Sequence, residues 1–331
     1  GALSSSILAT QPPASMTRRR FIAASSALAA LPLAGSAFAW PNARPAPFRI
    51  SLNPGNIGVA ADQKSVLQMA IDHGYQAIVS MPDQLAAFSE VEMADHLSKM
   101  KAHDITWESG NLPVDFRTTE AAFSDGLKAL PRLAAALERA GATRMNTWIM
   151  PFHNELTHTQ NWKQHAARLR ACAEILDDHD ARLGLEYVGP KTLLTRGRYP
   201  FLRTMAEARE LIADIGGTNV GLVLDSFHWY CAEDTEADIR ALTPADVVVV
   251  DLNDARVDLS RDEQIDGTRE LPGATGKINL KAFLIALAAI GYDGPIRAEP
   301  FNQPLRDMDD QEALRVTYEA MARSFKLVGE E

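Results

Sequence analysis

The chain has 331 residues, of which 46% are hydrophobic and 23% charged, with a formal net charge of −10. That apolar share supports a full core and excludes a disordered chain, and the acidic balance excludes the basic face that nucleic-acid binders carry. Two cysteines exclude a disulfide scaffold and a four-thiolate zinc site.

Residues 1–39 read as tag or leader rather than fold. Residues 1–15 carry no pattern. From Met16, the run Thr17-Arg18-Arg19-Arg20-Phe21-Ile22 has the charge of a twin-arginine signal. An alanine-rich apolar stretch from Ile22 to Phe38 follows, and Ala37-Phe38-Ala39 offers a small-x-small cleavage site before Trp40. Pro32, Gly35 and several serines interrupt a stretch barely long enough to span a bilayer, so the expectation is a removable signal, a periplasmic destination and no permanent membrane anchor. Losing three Arg and no acid takes the charge to −13. Cys172 and Cys231 would then meet an oxidising compartment. Cys172 shares an apolar helix face with Leu169 and Leu176, which favours a buried thiol, and whether the two cysteines pair is left open.

After the leader, short β-rich runs alternate with longer helical patterns, which implies a parallel sheet with helices outside. Eight runs qualify: Phe48–Leu52, Ala77–Ser80, Ile105–Glu108, Met145–Ile149, Leu183–Tyr187, Val220–Leu224, Val247–Val250 and Pro295–Ala298. Between them, Phe123, Leu127, Leu130, Ala134 and Leu137 fall on one helical face, as do Leu280, Phe283, Leu284, Leu287 and Ile290. Several helices meet glycine before the next run (Gly74, Gly141, Gly216, Gly291), which suits a left-handed C-terminal stop. Eight such units predict an α/β fold of the (β/α)8 TIM-barrel type, typically about 250 residues with insertions, as a single domain over residues 40–331. The turn Asn53-Pro54-Gly55-Asn56-Ile57-Gly58 lacks the dinucleotide fingerprint of a doubly wound sheet. The polar stretch Asn253–Lys277 is the longest loop candidate, and such loops tend to be functional.

Barrel chemistry sits where strands end. Glu186 ends the fifth run, Asp225 the sixth with His228 three residues on, Asp251 the seventh and Glu299 the eighth. Four carboxylates gathered at a barrel mouth repel one another and resist ionisation. A divalent cation relieves this, and an all-oxygen donor set favours Mg2+ or Mn2+, with Zn2+ or Co2+ as lesser options. The alternative is that the acids pair with Arg or Lys across the loops. His228 is expected to face substrate or to be a packed core residue. Trp107, Glu108, Trp148 and His153 follow the third and fourth runs. They are candidates for contact with a sugar, the alternative being packing.

These residues resemble the xylose-isomerase-like TIM barrels, which include sugar phosphate isomerases and epimerases, ketose 3-epimerases, inosose dehydratases and endonuclease IV. The carriers are Glu186, Asp225-x-x-His228, Asn253-Asp254 after the seventh run, and Gly291-Tyr292-Asp293-Gly294-Pro295 leading to Glu299-Pro300. Gly110–Arg117, Leu185–Thr192 and Asp225–Tyr230 are similar to one bacterial subgroup. The resemblance implies a metal held by Glu186, Asp225, Asp251 and Glu299. The ketose epimerases have His at the seventh-strand position, where this chain has Asp251, and a supporting Glu where it has Thr192.

The expected activity is sugar isomerisation or epimerisation through an enediolate, with Glu186 and Glu299 moving the proton and His228 bonding the oxyanion. Lys191 and Arg256 would hold a substrate hydroxyl or carboxylate, or else be solvated loop charges. The expected partner is a small carbohydrate, with no nucleic acid and a possible homo-oligomer. A lyase or dehydratase on a keto sugar or inositol, a non-catalytic envelope sugar-binding protein and a metal-dependent nuclease are the rival functions. The nuclease conflicts with the acidic charge, and with His73, His96, His103 and His179 lying in helical positions.

Overall fold

The computed structural model describes residues 46–329. The leader and cleavage site expected in residues 1–39 lie outside the described residues. The strands are β1 (Arg49–Leu52), β2 (Ala77–Ile78), β3 (Thr106–Trp107), β4 (Gly110–Asn111), β5 (Arg144–Ile149), β6 (Phe152–His153), β7 (Arg182–Tyr187), β8 (Tyr199–Pro200), β9 (Val220–Asp225), β10 (Val247–Leu252) and β11 (Pro295–Ala298).

Nine of them form one parallel sheet in the order β3-β2-β1-β11-β10-β9-β7-β5-β4. Its two end strands, β3 and β4, belong to one chain segment broken only at Glu108 and Ser109. Backbone bonds continue on both sides of that break, from the Glu108 N–H to the Ile78 carbonyl (2.8 Å) and from the Leu112 N–H to the Asn146 carbonyl (2.9 Å). The segment thus joins the two ends of the sheet, and the architecture is the expected α/β barrel. Each of the eight sequence runs overlaps a strand of this sheet. The pair β6–β8, an antiparallel ribbon between the β5 and β7 loops, carries no alternation in sequence and was not expected.

Helices lie outside. The helix Glu120–Ala140 buries Phe123, Leu130, Ala134 and Leu137, and Gly141 stops it at φ 70°. Helix Leu280–Ala289 buries Leu280, Phe283, Leu284 and Leu287; each fully buried large apolar side chain contributes about 1.5–3 kcal/mol. Ser89/Glu92, Thr157/Gln160 and Thr204/Glu207 form capping boxes that fix where three helices begin. The main core fills the space between sheet and helices. Inside the barrel, Val223, Val248 and Val249 form a separate small cluster. A Cβ on Gly184 would stand 2.9 Å from Val223 Cγ2, so glycine there leaves room for this plug. Cys172 and Cys231 are both buried free thiols. Among the described residues no helix is long and apolar enough to cross a membrane.

Candidate active site

The strand-end acids converge. Glu186, Asp225, Asp251 and Glu299 each offer a carboxylate oxygen within 4.8 Å of the others. Strand geometry explains how. Alternate residues face inward, and a one-residue irregularity in β10 between Val247 and Val249 sets Asp251, rather than Val250, opposite Asp225. Asn253 then ties the strand ends together. Its side-chain Nδ2 donates to Asp225 Oδ1 (3.1 Å), its side-chain Oδ1 accepts the Glu299 N–H (2.8 Å), and its backbone N–H donates to Ser226 Oγ (2.8 Å). Asp225 Oδ1 also accepts the Phe227 N–H at 2.7 Å, capping the short helix that carries His228.

Two buried arginines enter this cluster, and the sequence reading named neither. Arg297 sits on β11 directly opposite Asp251. It forks onto that carboxylate, with Nε to Oδ1 at 2.6 Å and Nη2 to Oδ2 at 3.2 Å, and its Nη1 reaches Glu108 Oε1 at 2.5 Å. Ser51 donates to the other oxygen of Glu108. Arg269 comes from the long loop. It bonds Asp225 Oδ2 (2.8 Å), the Glu299 carbonyl (3.2 Å), Glu299 Oε2 (3.4 Å) and Asp266 Oδ1 (2.8 Å). The loop pairing expected as the alternative to a metal is therefore realised for part of the cluster.

Part of it stays uncompensated. With Glu108 and Asp266, which share the same two guanidiniums, six carboxylates face two positive charges, a formal deficit of four. Glu186 shows it most plainly: its Oε1 is buried with no hydrogen-bond partner. Burial, then the neighbouring Glu299 and Asp225, push the Glu186 carboxyl well above the usual range. Burial and Asp251 push Glu299 up to about 8. An orphaned carboxylate oxygen within an all-oxygen donor set fits a divalent cation. Glu186 and Glu299 are the members with least internal pairing, whereas Asp225 is bonded through both oxygens to Phe227, Asn253 and Arg269 and both Asp251 oxygens are taken by Arg297.

His228 is buried beside them. Its Nδ1 faces the Gly189 N–H at 3.2 Å and its Nε2 faces Arg269 Nη2 at 3.3 Å, so both ring nitrogens meet donors. Nε2 lies 3.8 Å from Glu186 Oε1, 3.7 Å from Asp266 Oδ1 and 3.9 Å from Asp225 Oδ2. Burial and the nearby Arg269 push the imidazole down to about 3, so the ring stands neutral. Gly189 must be glycine, since a Cβ there would lie 2.4 Å from the His228 carbonyl.

Trp148 pairs in register with Glu186, which sets both on the inward face, and its indole is 41% exposed at the mouth. Glu108 points inward but is spent on Arg297 and Ser51. Other candidates are placed elsewhere. Trp107 lies in the outer layer, stacked on His96 and donating to the Ala140 carbonyl; strand alternation sends it outward because Glu108 goes inward. Lys191 pairs with Asp262 at 2.8 Å, and Arg256 forks onto Asp258 on the exposed loop. His153 Nδ1 accepts the N–H groups of Glu155 and Leu156, fixing a local turn.

Known proteins share this framework. A family model described as the xylose isomerase-like TIM barrel matches residues 67–323. An inosose isomerase of Bacillus velezensis is 22% identical over 77% of this chain and 89% of its own length. A D-psicose 3-epimerase of Ruminiclostridium cellulolyticum is 23% identical over 73% of this chain and 79% of its own. An inosose isomerase of Halalkalibacterium halodurans is 26% identical, but the match spans only about half of that protein (55%). Among solved structures, a xylose isomerase domain protein from Alicyclobacillus acidocaldarius superposes with a TM-score of 0.75 at 30% identity, covering 86% of this chain and all of that one. An IOLI protein with a bound zinc atom superposes with a TM-score of 0.69 at 20% identity over 84% of this chain and 98% of its own, a likeness of fold. With the barrel, the strand-end acids and a family match across most of its length, the chain belongs to the xylose isomerase-like TIM barrels.

Proposed function

We propose that this protein is a sugar isomerase or epimerase that moves a proton between carbon and two carboxylates, with a divalent metal ion in the same pocket. The observation that carries this reading is the convergence of Glu186, Asp225, Asp251 and Glu299 with Glu186 Oε1 left without a partner. The inosose isomerase and psicose epimerase relatives support it.

Glu186, Asp225 and Glu299 would hold the ion, and Asp251, braced by Arg297, would add its charge beside them. When bound, a divalent ion polarises a substrate carbonyl and favours negative charge on its oxygen; Mg2+ or Mn2+ suits the oxygen set, and the bound zinc of the IOLI structure keeps Zn2+ in view. Glu186 rises from β7 and Glu299 follows β11, on either side of the β9–β10 pair, so the two acids approach a substrate from different directions. Carboxyls raised toward neutrality suit both proton removal and proton return. One takes the proton beside the carbonyl and the other returns it. His228, whose Nε2 also meets Arg269 Nη2, would donate to the oxyanion that forms on the substrate in the tautomer protonated at Nε2.

The test is solvent deuterium exchange into a panel of ketoses and keto-inositols, followed by NMR. Wild-type protein incorporates deuterium at the carbon beside the carbonyl, and Glu299→Gln abolishes incorporation while keeping the fold. Exchange that survives in the variant refutes the two-carboxylate scheme. An alkene product would mark a lyase, and binding without exchange a sugar-binding protein. We further propose export to the periplasm, a reading supported by the twin-arginine pattern of residues 17–22. N-terminal sequencing of protein recovered from that compartment should begin at Trp40, and a full-length cytoplasmic protein would exclude export.

A further inference from the structure

Among the described residues no carboxylate forms an ion pair with the Arg117 guanidinium. Its guanidinium lies 3.8 Å from the centre of the Trp148 ring and 4.3 Å from that of Phe116. Nη2 donates to Thr147 Oγ1 (2.9 Å) and to the Trp148 carbonyl. Nε is buried with no partner, and among the described residues Nη1 makes no hydrogen bond and no carboxylate pairs with the group. Asp115 lies close in sequence, but its oxygens accept the N–H groups of Arg117 and Thr118 and the Thr118 hydroxyl, holding the turn. Burial pushes the Arg117 guanidinium down to about 10 against a weak pull from Asp115. Every other arginine at the barrel mouth named above has its acid: Arg269 has Asp225 and Asp266, Arg297 has Asp251 and Glu108, and Arg256 has Asp258.

The position of this charge is as informative as its lack of a partner. Trp148 is the register neighbour of Glu186, and adjacent strands lie about 4.8 Å apart. Arg117 stacks on the indole of the residue paired with Glu186. We infer that Arg117, held in plane by Trp148 and Phe116, recognises an oxyanion on the substrate, so that the sugar taken is an acidic one with its anionic end at the Trp148 rim and its carbonyl over Glu186 and Glu299. The inference rests on reading the mouth as a sugar site and narrows the substrate class. A planar guanidinium with unused donors pairs with a carboxylate or a phosphate.

The test is equilibrium binding, so it does not depend on turnover. Tryptophan fluorescence is titrated with D-fructose, 2-keto-D-gluconate and D-fructose 6-phosphate, for wild-type protein and Arg117→Met. An acid ligand should bind wild type about tenfold or more tightly than fructose, and Arg117→Met should erase that preference while fructose binding stays. Preference for the ketogluconate assigns a carboxylate; preference for the ester assigns a phosphate. Equal binding of all three, or a preference that survives in Arg117→Met, overturns the inference, survival assigning the anion to the cation pocket. Should the variant fail to fold, salt decides: added NaCl weakens the acid ligand and spares fructose, and equal response overturns the inference. Deuterium exchange on neutral ketoses with no Arg117-dependent preference sinks this inference alone. Arg117-dependent binding with no exchange on any ligand sinks the enzymatic reading alone.

Discussion

Replacing Arg297 with Met removes a cation of similar length from the floor of the site and strands two buried acids. Asp251 loses both its contacts, at 2.6 and 3.2 Å, and Glu108 loses its 2.5 Å contact. Breaking a buried pair by deleting one partner typically costs about 3–5 kcal/mol. For a chain of this size that is a fall in Tm of roughly 6–20 °C. The sign with pH follows from linkage. Burial already raises Asp251 and Glu108, with Arg297 the chief opposing charge, so its loss raises both further. A carboxyl raised in the fold stabilises below its unfolded pKa and loses that contribution as pH climbs through the folded value. The deficit of Arg297→Met is therefore small near about pH 5 and large near about pH 8. Mn2+ should then raise the Tm of the variant more than that of wild type, because both Asp251 oxygens are freed. Thermal unfolding by circular dichroism, with EDTA or Mn2+, reads all three effects. A Tm equal to wild type near about pH 8, or a deficit that shrinks as pH rises, refutes the reasoning.

Two further predictions concern protons. Glu299 at about 8 and the raised Glu186 must ionise to hold a metal, so ion binding near neutrality releases protons and the apparent affinity climbs with pH toward about 8; calorimetric heats that do not vary with buffer ionisation enthalpy contradict this. His228, pushed down to about 3, stays neutral through the working range, and its ring resonances should not titrate between about pH 5 and about pH 9. An inflection near the ordinary histidine value would show that burial and Arg269 do not hold it.

The strands were legible because each is a short apolar run closed by glycine or a polar turn, and the acids because they end those runs. The arginines were less so, for different reasons. Arg297 stands two residues before Glu299 and so on the same face; an arginine inside an apolar strand was a visible signal. Arg269 lies in a loop without period, and only the folded chain brings it to Asp225, 44 residues away in sequence. Trp107 takes the packing alternative because strand alternation decides it: with Glu108 inward, its neighbour goes outward. Lys191 and Arg256 found acids on the loop that carries Arg269, contacts that spacing does not encode. The irregularity in β10 that aligns Asp251 with Asp225 is equally silent in a run of four valines.

Metal content of the purified protein tests the central claim most directly, measured by elemental analysis for wild type and Glu186→Gln after equal loading and gel filtration. One equivalent of Mn2+, Mg2+ or Zn2+ in wild type, lost in the variant, is the predicted result, since Glu186 holds the unpartnered oxygen of the cluster. A wild type that retains no ion under any loading, or a variant that retains it fully, would contradict a cation held by the strand-end carboxylates.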